Sequence, residues 1–397
     1  QGTTALGGGT MDLIAGNEID GSDFTASGNI TVEAADPDVA IDLVASSFIS
    51  EGGNIDIGVT SQIANIIDST IWAKVGEVNI GGDDGVTNEI DGSTITSATS
   101  LTVNATWIVD SGLIAEDGTL AVTAAVIDGS ELLSKDGDAT VDVYDLIGSS
   151  VTASDDITID ATYISSSSIM AGNDVSIEAD YGIIGSDIFA HNDVKVEAYE
   201  IDNSTLTAYN TIDLTAYYVD NVDAFANYGI TAEVDEDLYG GEWSVYWGDI
   251  EVEAGRISAT QFTADGNISL TTDEFITNVG VAVLYGDATL NACTVISGNT
   301  VTAQNDANLT AAAVGGTTVT AGNNVNVTGT VDSAIADSSL TALNGNVTIA
   351  KMDKGITNVT ASAGGNIIAT EDIGWVAGGS FIASGNVDLT TKYTIYD

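Results

Sequence analysis

Fifty-nine of the 397 residues are Asp or Glu, against seven Lys or Arg and a single His, so any chemistry in this chain starts from carboxylates. Asp160, Glu178, Glu197 and Asp213 follow one another at intervals of 18, 19 and 16 residues, each within an apolar/polar alternation. If they stand on equivalent strands of stacked coils, the carboxylates lie about 4.8 Å apart. Like charges at that spacing collect counter-ions. The expected ligand is a divalent cation, with Ca²⁺ the candidate, held weakly along a ladder. Gly81-Gly82-Asp83-Asp84-Gly85 is a second acidic turn of the kind that suits Ca²⁺. It occurs once, whereas a calcium-binding roll repeats its turn every nine residues or so.

The other reactive types assign no catalytic residue. His191 falls in Ala190-His191-Asn192-Asp193, a corner sequence, and reads as a solvated turn residue. Arg256 is the only arginine, and Lys74, Lys135, Lys195, Lys351, Lys354 and Lys392 are scattered. A surface of formal charge -52 repels polyanionic substrates and nucleic-acid backbones, and no basic stripe offsets it. Carboxylate pairs suited to glycoside hydrolysis arise by chance at this acid density. Cys293 is alone, which excludes an intramolecular disulfide and a multi-cysteine zinc site, and it reads as a small buried or half-buried thiol. The expectation is a protein that is not an enzyme and requires no cofactor.

The elements that position these residues are repeats. Ser22-Asp23-Phe24-Thr25-Ala26-Ser27-Gly28-Asn29-Ile30-Thr31-Val32-Glu33-Ala34 has a counterpart in Ser168-Ile169-Met170-Ala171-Gly172-Asn173-Asp174-Val175-Ser176-Ile177-Glu178-Ala179. Each unit, about 19 residues long, is two short alternations joined by a Gly/Asn/Asp turn. A fixed period of that size means a solenoid, because no single repeat can bury its own apolar face. The apolar anchors run from Phe24, Phe48, Ile71 and Ile95 to Val319, Leu340, Val359 and Phe381, with Phe225 and Val245 among them. They predict an all-β parallel β-solenoid of about 19 coils without helical caps. A flexible lead over 1–10 precedes one solenoid domain over 11–397, with an irregular, bulged coil around 219–247. Asn or Asp recurs at one corner, from Asn29 and Asn54 to Asn366 and Asn386, and stacking predicts a hydrogen-bonded ladder there. Gly-Asn corners suit backbone that needs left-handed geometry. Pro37, the single proline, fits a chain that is mostly sheet.

The stretch Gly172-Asn173-Asp174-Val175-Ser176-Ile177-Glu178-Ala179, with its counterparts near Gly28, Gly266, Gly322, Gly345, Gly365 and Gly385, resembles the filamentous haemagglutinin-type repeat of secreted adhesins and autotransporter passengers. The resemblance implies a right-handed parallel β-helix, secretion and work at a surface.

Between the two inward residues of the first strand lies an outward position. There the sequence offers Ile49, Trp72, Ile114, Leu133, Met170, Phe189 and Tyr246, a discontinuous apolar stripe suited to lateral contact with another copy. Leu13 near one end and Tyr393 and Ile395 near the other lie in strands, which predicts head-to-tail strand addition. Thr302, Thr320, Thr341 and Thr360 read as one outward threonine column and raise an ice-binding alternative. No apolar run approaches the roughly 18 residues of a membrane helix. The opening Gln1-Gly2-Thr3-Thr4 reads as a processed N-terminus. Together these predict an extracellular or cell-surface structural protein that assembles with itself into a filament, sheath or surface layer. An adhesin stalk that binds glycans or surfaces is the alternative.

Overall fold

The computed structural model describes residues 2–36, 39–82 and 86–396, so Pro37 lies outside the described residues. The chain is all-β, a parallel β-solenoid of about 20 coils, and no helix occurs among the described residues. It divides by packing into two units, Gln1–Tyr199 and Glu200–Asp397. Each unit holds ten short strands that form one parallel sheet, faced by a second parallel sheet of longer strands. One coil more than expected comes from Thr4–Gly7. This segment is already a strand paired to Asp23–Ala26, not a flexible lead.

Alternation builds the strands. In Ser168–Ala171, Ile169 and Ala171 are buried while Ser168 and Met170 face out. In Val175–Ile184, Val175, Ile177 and Ala179 point inward, and Ser176, Glu178 and Asp180 outward. The core is therefore a set of stacked columns, each offering about 1.5–3 kcal/mol per fully buried large aliphatic side chain. Phe24 stacks on Phe48 with ring centroids 5.3 Å apart. The early repeats run longer because their second strand is in two pieces, such as Ile30–Ala34 and Ile41–Val44. From Leu101–Val109 to Asp249–Ser258 the pieces merge, the connecting loop disappears, and the spacing drops to 18 or 19 residues; beyond, the strand splits again in most repeats, as in Ile268–Thr272 and Phe275–Thr277.

The Asn/Asp corner forms the expected ladder, and its chemistry is specific. The N–H of Asn54 donates to Asn29 Oδ1 at 3.1 Å, and that of Glu77 to Asn54 Oδ1 at 3.0 Å. Asp174 N donates to Asp156 Oδ1 and Asp193 N to Asp174 Oδ1. In unit 2, Asn324, Asn346, Asn366 and Asn386 continue the same pattern. Glycine belongs beside this corner for closeness: a Cβ on Gly172 would sit 1.9 Å from the Ser154 carbonyl oxygen. Left-handed backbone is needed at the opposite corner instead, at Asp110, Gly129, Gly148, Ser166 and Gly185.

Directly after each of those residues stands a buried serine, and together they make a second ladder. Ser93 N donates to Ser111 Oγ at 3.1 Å, Ser111 N to Ser130 Oγ at 3.1 Å, and Ser130 N to Ser149 Oγ at 3.1 Å. Each hydroxyl in turn donates a hydrogen bond to the carbonyl two residues earlier, as Ser130 Oγ does to Asp128 O at 3.0 Å. The column runs unbroken from Ser22 through Ser186. In unit 2 the equivalent positions vary, with Thr260, Val279, Asn299, Thr317, Ser338 and Val359. Here the donor runs from the lower-numbered coil to the higher, opposite in sense to the Asn/Asp ladder.

The segment 219–247 is a bulged part of the sheet. Thr211–Asp220 and Gly229–Tyr239 pair in parallel with a register shift between Ala216 and Tyr218, and a second shift follows between Val234 and Asp237. Two anchors differ from expectation here. Phe225 faces outward between buried Ala224 and Ala226, and Trp243, not Val245, leads its strand. The reason is volume: Ala224 stands in register with Trp243, and the space it leaves admits the indole. Trp243 is fully buried, edge-on to Phe262 at 5.8 Å, with Nε1 donating to Val222 O at 3.0 Å.

Ser130→Ala removes the acceptor of the Ser111 N–H and leaves that buried donor unpaired. We expect a loss of about 1–3 kcal/mol, read by urea unfolding, with amide exchange at Ser111 accelerated. Unchanged exchange there would show that the ladder does not hold the corner.

Candidate interaction surfaces

Sheet geometry fixes which outward residues become neighbours. On the short strands of unit 1 one column contains Leu6, Thr25, Ile49, Trp72, Thr96, Ile114, Leu133, Thr152, Met170 and Phe189, in direct register from strand to strand. Three are threonines and the others apolar, and none is charged. The expected stripe is thus a true column, extended by Leu6. Trp72 and Met170 are 41% and 48% exposed, and Lys74 Nζ lies 4.8 Å from the centre of the Trp72 ring. Tyr246 does not belong to it. It follows the strand Glu242–Val245, where Ser244 takes the outward place, and its ring packs edge-on against Trp247 at 4.6 Å.

In unit 2 the same geometry carries a different chemistry. Thr302, Thr320, Thr341 and Ser362 are in register in one column, and Thr300, Thr318, Ser339 and Thr360 in its neighbour. Thr360 therefore sits one column away from the three threonines grouped with it by sequence. Its strand begins at Thr360, not Val359, because Val359 is buried at the corner position that serine holds elsewhere.

The carboxylates separate in a similar way. Asp142, Asp160 and Glu178 are in register on the long strands of unit 1, and Glu197 holds the equivalent place three residues after Val194. Asp213 leaves this series: it is one residue after the first inward side chain, Ile212, where Ser176 and Lys195 stand in their strands. Spacing alone concealed the shift because the 16-residue step is short by two. Asp83 and Asp84 lie outside the described residues. Among the described residues no group of three or more Asp, Glu, His or Cys is close enough to hold a metal ion. A diffuse counter-ion column is the arrangement these carboxylates can make.

Five of the cations meet an acid of the preceding repeat: Lys74 with Glu51, Lys135 with Glu116, Arg256 with Asp237, Lys354 with Asp332 and Lys392 with Asp372. Arg256 also reaches Glu236 and Glu274, at 3.3 and 3.9 Å. Its hydrogen bond to Asp237 and the surrounding acids hold the guanidinium charged above its ordinary range, and Asp332 does the same for Lys354. These five basic residues therefore serve as clips between repeats.

Two further features escaped the sequence. Where the long strands of unit 1 bend, two successive residues face out, and Trp107, Tyr144, Tyr163, Tyr181 and Tyr199 stand there exposed. Tyr163 and Tyr181 stack at 5.5 Å. The signal available was the Tyr recurring near the end of each second alternation. The other is Cys293, which is exposed, not buried, because it follows the strand Ala288–Ala292 in the turn. His191 is exposed as expected, with its ring edge-on to Phe189 at 5.0 Å. Of the residues expected at the ends, Leu13 is half-buried in register with Val32, while Tyr393 and Ile395 are exposed.

The chain matches no protein-family model and no curated protein. No helix among the described residues is long and apolar enough to cross a membrane.

Among the described residues Asp220 carries the one carboxylate raised above its usual range, by burial first and by the charge of Asp202 second. A raised acid favours the folded state while protonated, and that contribution is lost as the pH climbs through the raised value. Asp220→Asn should therefore be more stable than the parent chain at pH 7. The difference should close near about pH 3, below the ordinary carboxylate range. Melting curves at the two pH values test this, and a gain that is equal at both would refute the assignment.

Proposed function

We propose that this is a secreted, non-enzymatic structural protein that packs laterally against copies of itself to build an extracellular sheath, filament or surface layer. The observation that carries the reading is the uncharged column of unit 1, with Leu6, Ile49, Trp72, Ile114, Leu133, Met170 and Phe189 in register. A soluble chain of charge -52 has little reason to keep such a stripe in water. Against a second copy across a two-fold axis, the stripe covers itself and leaves the acids facing solvent. The carboxylate column then collects cations, Ca²⁺ foremost, and lowers repulsion between neighbours. Strand addition through the ends, near Leu13, Tyr393 and Ile395, would lengthen the same assembly. The resemblance to filamentous haemagglutinin-type repeats supports export and surface location.

The double variant Met170→Asp/Phe189→Asp places two charges in the stripe and should weaken self-association by about tenfold or more. Folding should be little affected, since both positions face out. Sedimentation velocity and negative-stain micrographs, with Ca²⁺ and with chelator, give the answer. A parent chain that stays monomeric at high concentration in both conditions would sink the proposal. So would a double variant that assembles like the parent.

A second reading, an adhesin segment that binds glycans, is favoured by the exposed Tyr163–Tyr181 stack and its neighbours. Aromatic rings with one wet edge are the side chains that pack on sugar faces. In a glycan-array screen Tyr163→Ala/Tyr181→Ala should abolish any binding seen with the parent chain. Binding that survives the change would place the contact elsewhere.

A further inference from the structure

A regular hydroxyl-bearing surface lies on the short strands of unit 2. Thr300–Ala303, Thr318–Ala321, Ser339–Ala342 and Thr360–Ala363 each present two hydroxyls, at their first and third positions. Neighbouring strands pair residue for residue without a register shift. The hydroxyls therefore form a two-dimensional array, about 4.8 Å apart between strands and about 6.6 Å apart along them. Threonine is β-branched and stiff at χ1, so its hydroxyl and methyl are held in place before any ligand arrives.

Two observations bear on the ligand. From Gly280–Val283 to Ser380–Ala383 no outward position of these strands carries a charge, in a chain with 59 acids. Among the described residues, none of the array hydroxyls is engaged in a hydrogen bond within the protein. By contrast, Thr317 Oγ1, at the buried corner beside them, donates to Gly315 O at 3.1 Å. The array thus offers free donors and acceptors at fixed repeats, with a methyl beside each threonine hydroxyl.

The chemistry narrows the occupant. A cation finds no carboxylate on this face, and an anion no basic group. Sugar faces want an aromatic platform, and the four strands carry no aromatic residue. A protein partner wants an aromatic or Arg anchor, which is also absent. What fits is a neutral lattice of oxygen atoms that both donate and accept, repeating in two dimensions. We propose that this face of unit 2 binds ice. Each hydroxyl contact is weak, but a rigid array engages the lattice at many points at once and loses little freedom in doing so.

Ice-affinity partitioning of the full chain, in which ice grows slowly through a cold solution, tests the proposal directly. The parent chain should be enriched in the ice fraction. Thr302→Lys/Thr320→Lys should lower its incorporation by about tenfold or more, because an ammonium pressed against a neutral lattice loses its hydration. Thr302→Val/Thr320→Val keeps the shape and strand preference of the side chains. It guards against a folding artefact, with far-ultraviolet circular dichroism as the check, and should also lower incorporation. Met170→Asp in unit 1 should leave incorporation unchanged. Exclusion of the parent chain from ice would overturn the proposal, as would Lys and Val variants that partition like the parent. Adsorption to microcrystalline cellulose or chitin without enrichment in ice would overturn it too and assign the face to a polysaccharide.

Discussion

Everything in this fold depends on how the corners dispose of their backbone amides. A strand satisfies its own polar groups through the ladder, but a chain that turns twice per coil exposes N–H groups that no strand can reach. Buried and unpaired, each would cost about 1–3 kcal/mol. Here the side chain of an adjacent coil accepts them: Asn or Asp at one corner, serine at the other. Because the partner is always one coil away, the hydrogen bonds dictate the stacking register as well as the turn. Residues in the core only have to be apolar and of suitable size, and Ala224 beneath Trp243 shows how freely sizes can be exchanged between coils.

With register fixed at the corners, the outward positions are released from structural duty, and the two units use that freedom differently. Unit 1 keeps a mostly apolar column on its short strands, whereas unit 2 keeps hydroxyls at the corresponding places of four successive strands, from Thr300–Ala303 to Thr360–Ala363. Fold and surface chemistry are thus nearly independent. A change from Leu133 to Thr152 in successive strands alters what the face can touch without altering the coil that carries it. Acids stand on the long strands and also at the turns after short strands, where Lys74 and Lys135 of the next repeat clip Glu51 and Glu116.

Much of this was legible before any coordinates, and the exceptions have physical causes. The period, the parallel stacking and the Asn/Asp ladder follow from spacing alone, because a solenoid repeats its constraints visibly. The serine ladder was equally present, as a Gly, Asp, Asn or Ser followed by Ser at Gly129-Ser130, Gly148-Ser149 and Gly185-Ser186. It went unread because a serine beside a turn residue looks like ordinary loop. Phe225, Val245, Asp213 and Thr360 sit one or two residues from the places that spacing predicts. For Phe225 the offset is one residue, which in a period-2 strand exchanges inside for outside; for Val245, Asp213 and Thr360 it is two, which keeps the face and changes the column. Only the register of the neighbouring coil resolves such cases.

The two corner ladders of unit 1 run in opposite senses. At the serine corner each amide points toward the higher-numbered coil, and at the Asn/Asp corner toward the lower. An α-helix aligns its peptide dipoles and accumulates partial charge at its ends. In this arrangement one corner's polarity offsets the other's, coil by coil. The partial charges that the two ladders present at either face of the stack are therefore of opposite sign, so neither face gathers the ladder N–H groups alone.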